Sequence, residues 1–198
     1  VRSLLTFYFA PGSSSMAVHI ALYEIGMPFD ARALSFARKE QLRPDYLSLN
    51  PEGKVPVLIV EGKPLSEVAA CLYYLAKTHP EANLIPDDVA GEAQAISWMS
   101  FVAATIHPAG RVGGPDNVKK AFGFAERKLG TNEWALGAYS IADIHLFRLY
   151  WRYRTHATRS LNPHDTPHLE AHFNRMMARP AVQRTIEVET EIGYELPW

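Results

Sequence analysis

The sequence predicts a mixed α/β unit followed by an all-helical one (α/β plus all-α). Three observations carry this reading. Strand and helix patterns alternate as β-α-β and then β-β-α over residues 1–79. A stretch collecting prolines, acids and Asn follows over residues 80–88, in the manner of a linker. No strand pattern recurs over residues 89–198.

Each element has a local cause. Leu4 to Phe9 is β-prone and uncharged, and Pro11-Gly12-Ser13-Ser14-Ser15 then supplies turn and helix-cap chemistry. Ala17, Ile20, Ala21 and Ile25 recur at helical spacing, with Gly26 and Pro28 as the stop. Phe29 to Leu34 alternates like a strand, and a charged connection runs from Arg38 to Asp45. Asn50-Pro51-Glu52-Gly53-Lys54 reads as a loop, Val55 to Val60 as a third strand, Glu61-Gly62-Lys63 as a hairpin turn and Pro64-Leu65 as a short fourth strand. Ser66 is the expected cap of a helix over Val68 to His79. Beyond the linker, Ala90 to Ile106, Asn117 to Leu129, Ile141 to Thr155, Pro167 to Ala178 and Pro180 to Glu189 read as helices.

Composition narrows the partners. Acidic and basic residues nearly cancel, 21 against 20, so the net charge of -1 points to neither a nucleic acid nor an anionic membrane, and a small ligand is expected. Cys71 is the single cysteine, which excludes an intramolecular disulfide and fits a reducing, cytoplasmic compartment. The apolar opening is cut by Pro11 and Gly12 well short of a membrane span or signal-peptide core.

Proline inside an apolar strand is locally odd, because it donates no ladder hydrogen bond. A cis Val55-Pro56 bond would turn the Val55 backbone groups outward to pair with an extended peptide, whereas a trans proline would simply open the strand. The neighbouring motifs favour the first alternative. Tyr8-x-x-Pro11-Gly12-Ser13-Ser14-Ser15, Asn50-Pro51-x-Gly53-Lys54-Val55-Pro56-Val57-Leu58, Leu65-Ser66-Glu67 and Ser140-Ile141-Ala142-Asp143 occur in an order that resembles the cytosolic glutathione transferases, closest to the bacterial beta-class pattern but with serine in place of its active-site cysteine.

That resemblance implies an N-terminal thioredoxin-like domain that binds glutathione as co-substrate, an all-helical C-terminal domain that shapes the second-substrate pocket, and a homodimer. It implies attack of the glutathione thiolate on a small apolar electrophile, with no metal. Val55 and Pro56 match the residues that pair with the cysteinyl backbone, and Glu67 matches the acid that holds the γ-glutamyl amino group. Val68 departs from the pattern, which commonly has a serine there, and leaves only a backbone N–H for the γ-glutamyl carboxylate; Lys54 is placed to reach the glycyl carboxylate. A transferase emptied of turnover, serving as a glutathione-binding or regulatory protein, is the alternative.

Sulfur activation needs a lowered thiol pKa, since a thiol near 8.5 is only a few per cent thiolate at neutral pH. Serine-type transferases align Ser13 with the sulfur, the beta-class pattern aligns Ser14, and Tyr8 is the phenolic alternative; Ser15 completes the turn. Serine cannot form a mixed disulfide, which disfavours redox chemistry. In the second domain the beta-class pattern puts His107 towards the sulfur, although a histidine ending a helix before Pro108 is also stabilised there as a cation, and Arg111 faces the second-substrate pocket.

Other features have structural readings. Ser140 and Asp143 have capping-box spacing. His164, His168 and His172 fall four apart but read as surface residues, and Tyr150-Trp151-Arg152-Tyr153-Arg154 reads as helix core alternating with solvent. Cys71 reads as a small buried residue, and Tyr194 to Trp198 as a tail apolar enough to fold back.

Overall fold

The computed structural model describes residues 4–156 and 161–195. Strands β1 (Leu5–Phe9), β2 (Phe29–Ala33), β3 (Val57–Val60) and β4 (Lys63–Ser66) form one mixed sheet in the order β2-β1-β3-β4. β1 runs parallel to β2, with Phe7 opposite Ala31, and antiparallel to β3, with Phe7 opposite Leu58; β3 and β4 close as an antiparallel hairpin. The parallel pair needs a crossover, which is helix α1 (Met16–Ile25), ended by Gly26 at φ 68°, a conformation glycine adopts without steric cost.

Alternation along β1 divides the unit into two layers. Leu5, Phe7 and Phe9 are buried, and Phe7 and Phe9 pack on His19 of α1. Tyr8 points to the other face, where Ala10, Tyr46, Val55 and Val57 form a second cluster. Tyr46 comes from α2 (Pro44–Leu47), a short helix inside the charged connection. Helix α3 (Val68–Thr78) packs against α1.

The third strand begins two residues later than its apolar run suggests, because the Val55-Pro56 bond is cis and both residues precede the ladder. Ser66 is not the helix cap; it pairs with Val57 at the end of β4, and Glu67 takes the N-cap position of α3.

The compact units divide after His79. Residues 80–88 are more than a linker: Leu84 is buried and its carbonyl accepts a hydrogen bond from the Ile141 N–H, so this stretch packs with the second unit. The last helix, α8 (Pro180–Ile192), does the reverse and packs on α1 with the first unit, although its sequence position groups it with the helical half. Leu196 to Trp198 lie outside the described residues.

In the second unit α4 (Val89–Phe101) is capped by Asp88, whose carboxylate accepts from the Gly91 N–H at 2.9 Å. The chain then widens into a π-helical turn over Val102–Ile106 and continues directly as α5 (His107–Leu129). Pro108 therefore does not end a helix, as its chemistry suggests. It has no N–H for the carbonyl four residues back, and the wider turn accommodates that loss. The break falls later, at Gly114 (φ 61°), with Pro115 restarting the run.

Helix α6 (Ile141–Trp151) carries the expected capping box, with Ser140 Oγ accepting from Ala142 N–H and Asp143 accepting from Ser140 N–H at 2.9 Å. Asp143 is fully buried and also receives Ala135 N–H at 2.8 Å and His172 Nε2–H at 3.0 Å. His172, on α7 (Pro167–Met177), is thus a buried partner of the box and not a surface residue. His168 and Leu169 N–H groups donate to Glu126, which caps α7 from α5. No helix among the described residues is long and apolar enough to cross a membrane.

Four polar groups converge on Asp143, so Asp143→Ala is expected to cost about 3–5 kcal/mol, the loss associated with breaking a buried charged pair. Ser140→Ala should cost about 1 kcal/mol. Urea denaturation followed by far-ultraviolet circular dichroism checks the ranking.

Candidate active site

The turn between β1 and α1 is built by its serines, and they do different things. Ser15 Oγ accepts from Ala10 N–H and donates to Ala10 carbonyl, both at 3.2 Å, which closes the turn on the strand end. Ser13 Oγ lies 2.6 Å from Ser15 Oγ and accepts from Ser15 N–H, the position of a cap at the first turn. Both side chains are buried, Ser13 at 6% exposure. Ser14 is the half-exposed member, and its hydroxyl donates to the Val55 carbonyl at 3.3 Å.

That contact joins two segments 41 residues apart in sequence. Val55 is held from the other side by its loop: the Lys54 carbonyl accepts from Tyr46 Oη–H at 2.6 Å and from Asn50 Nδ2–H at 2.9 Å. The Lys54 ammonium is exposed and paired with Glu52. Glu67 is exposed at the start of α3, and its backbone adopts φ 70°, ψ 128°, a conformation that costs a non-glycine residue about 1–3 kcal/mol. Val68 beside it is buried.

Tyr8 stands apart from the serines. Its hydroxyl accepts from Arg32 Nη1–H at 3.1 Å, its ring meets Tyr46 edge-on, and it lines a cavity of about 310 Å³ with Arg43, Glu40 and Asp45 on the α2 face of the sheet. Cys71 is buried, its thiol directed to the Leu65 carbonyl; burial and the Glu67 charge push its pKa up to about 12, so it stays protonated. His107 and Arg111 belong to the second unit, one turn apart at the start of α5, with His107 half-buried and Arg111 exposed. Among the described residues no group of three or more His, Cys, Asp or Glu side chains is placed to hold a metal ion.

Two residues missed by sequence reasoning hold the turn in place. Glu189 of α8 is fully buried; its Oε2 accepts from Gly12 N–H at 2.6 Å, and its Oε1 accepts from His19 Nδ1–H at 2.8 Å. His19 is enclosed by Phe7, Phe9, Tyr23 and Phe29. His19 is visible in the sequence as a polar residue on an apolar helix, but a partner 170 residues away leaves no local signal.

With this geometry in place, comparison with known proteins is decisive. Residues 3–77 match the family model of the glutathione S-transferase N-terminal domain, and residues 115–180 match that of the C-terminal domain. A glutathione S-transferase GstA of Escherichia coli O157:H7 is 30% identical over 92% of this chain and 97% of its own. The chain belongs to the glutathione S-transferase family. Among solved structures, a glutathione transferase homologue from Sulfitobacter with bound glutathione is 31% identical and covers 93% of this chain and 98% of its own, with a TM-score of 0.84. A bacterial beta class glutathione S-transferase of Sphingomonas chungbukensis is 32% identical with a TM-score of 0.82, covering 93% of this chain and 98% of its own.

Because Glu189 satisfies Gly12 and His19 together, Glu189→Ala is expected to leave two buried donors unmatched at about 1–3 kcal/mol each. Glu189→Gln, which keeps one acceptor, should lose less. Thermal unfolding of the two variants tests this order.

Proposed function

We propose that this glutathione transferase activates bound glutathione through Ser14 and the N-terminus of α1. The observation that carries the assignment is the Ser14 hydroxyl: alone among the three serines it is half-exposed and directed at Val55, while Ser13 and Ser15 are spent inside the turn. Ser14 therefore replaces Ser13 as the first choice for sulfur donor. Tyr8 is tied to Arg32 and takes no part.

In this reading glutathione lies extended against Val55 and Pro56. Its cysteinyl N–H takes over the Val55 carbonyl that Ser14 now occupies, and the freed hydroxyl turns to the sulfur. Glu67 holds the γ-glutamyl ammonium, and the N–H groups at the start of α3, including that of Val68, receive its carboxylate. The backbone strain at Glu67 supports a functional role for that position. Lys54 exchanges Glu52 for the glycyl carboxylate. The α1 N-terminus adds positive potential where thiolate charge develops. The thiolate then attacks the electrophilic carbon of a second substrate, with His107 and Arg111 on the second-substrate side.

The protein also works as a homodimer in this proposal. The outward face of α4 carries Val89 at 85% exposure and Ile96 at 47%, with small uncharged residues between them, and burying such a face favours association. Light scattering across a hundredfold range of concentration should report a dimer; a monomer throughout overturns this part.

The sulfur assignment is tested by ultraviolet titration of the glutathione complex. Ser14→Ala should raise the thiol pKa by roughly one to two units, the loss of one charge-assisted hydrogen bond, with affinity largely retained. Ser13→Ala should lower stability by about 1 kcal/mol and leave the titration in place. Tyr8→Phe should leave it in place as well, and a shift confined to Tyr8→Phe overturns the assignment.

A further inference from the structure

The second unit concentrates basic side chains on two packed segments. On α6 and the turn that continues it, His145, Arg148 and Arg152 stand at spacings i, i+3 and i+7, one face of a helix. At the start of α5, His107 and Arg111 stand at i and i+4, also one face. The segments lie side by side in register. Gly110 is packed against the Tyr153 hydroxyl so closely that a β-carbon there would clash, His107 lies within the field of His145, and Arg111 lies within the field of Arg152.

The arrangement runs from core to surface. His145 and Arg148 are buried, Arg152 and His107 are half-buried, and Arg111 is exposed. Burial, followed by the nearby His107 and Arg148, pushes the His145 pKa down to about 3, so it is neutral at physiological pH, and its Nδ1 meets no hydrogen-bond partner among the described residues. Arg152 is held below the ordinary guanidinium range, first by burial and also by the like charge of Arg111. Two guanidinium groups set side by side on packed backbone repel each other, and an oxyanion lying against both relieves that repulsion. A planar carboxylate matches the fork of such groups better than it matches a point charge.

We propose that the second substrate is an organic acid, its carboxylate held by Arg111 at the surface and Arg152 behind it, on the face of α5 that also carries His107. This rests on the transferase reading above and alters the expectation of a purely apolar electrophile: the reacting end stays apolar and the other end is anionic.

The test compares a chloro-dinitrobenzoic acid with its methyl ester, which present the same leaving group and differ by one charge. In the wild-type enzyme the acid-to-ester ratio of kcat/KM should fall as ionic strength rises. In Arg111→Gln and in Arg152→Gln that ratio should fall about tenfold, consistent with losing a hydrogen bond to a charged group, and Arg111→Lys should recover part of it. A ratio unmoved in Arg111→Gln, whose exposed side chain leaves folding intact, overturns the proposal while the transferase reading stands. Turnover of neither compound with glutathione still bound overturns the conjugation reading instead. The dissociation constant of the unreactive dinitrobenzoate, by calorimetry, then decides for the acid site: about tenfold weaker binding in Arg111→Gln supports it, and equal binding overturns it.

Discussion

The Glu189 carboxylate ties the first unit together. One oxygen takes the Gly12 N–H of the serine turn, the other takes the imidazole of His19 in the middle of α1, and the side chain is closed to solvent. A carboxylate in that position has its charge spread over two short hydrogen bonds, which offsets the desolvation that burial imposes. Its consequence is positional. Gly12 sits at φ 71° with its N–H pinned, so the three serines that follow enter α1 with fixed directions. Ser13 and Ser15 turn inward and bond each other, and Ser14 is left to face Val55. The choice among near-identical hydroxyls is made by the turn and not by the hydroxyls themselves.

The second unit relies on a comparable device in the backbone. Pro108 in a helical run removes one intrahelical hydrogen bond, and the π-helical turn over Val102–Ile106 absorbs the loss. Continuity of the run places His107 inside a helix and not at its end, which removes the helix-terminus explanation for a histidine there. Gly110 then lets Tyr153 approach, bringing the basic face of α5 against the basic face of α6. Asp143 anchors the same α6 at its other end through the capping box and His172. The helix that carries His145, Arg148 and Arg152 is therefore fixed at its N-terminus by polar bonds and along its length by packing.

Several positions show why local pattern reads elements better than it reads roles. Leu4 to Phe9, the Gly26 stop and the Ser140 box were legible because their causes lie within a few residues. Ser66 was misplaced as a cap because a serine before a helix has cap chemistry whether or not the strand pairing claims it first. His172 looked like a surface histidine because its partner, Asp143, is 29 residues upstream on another helix. Helix α8 read correctly as a helix, yet its packing on α1 has no mark in its own periodicity.

What the sequence determined by itself was the order of strands and helices, the turn chemistry around the serines, the apolar burial of Cys71 and the motif set that marks the family. These follow from steric preferences and hydrophobic period, which act over a turn or a strand. Tertiary structure alone decided which serine faces Val55, that Glu189 secures the turn, that the last helix joins the first unit, and that Arg111 meets Arg152. Each of these is a pairing of groups distant along the chain. Hydrogen bonds and charges act through space over a few ångströms, so their partners are set only once packing has brought the segments together.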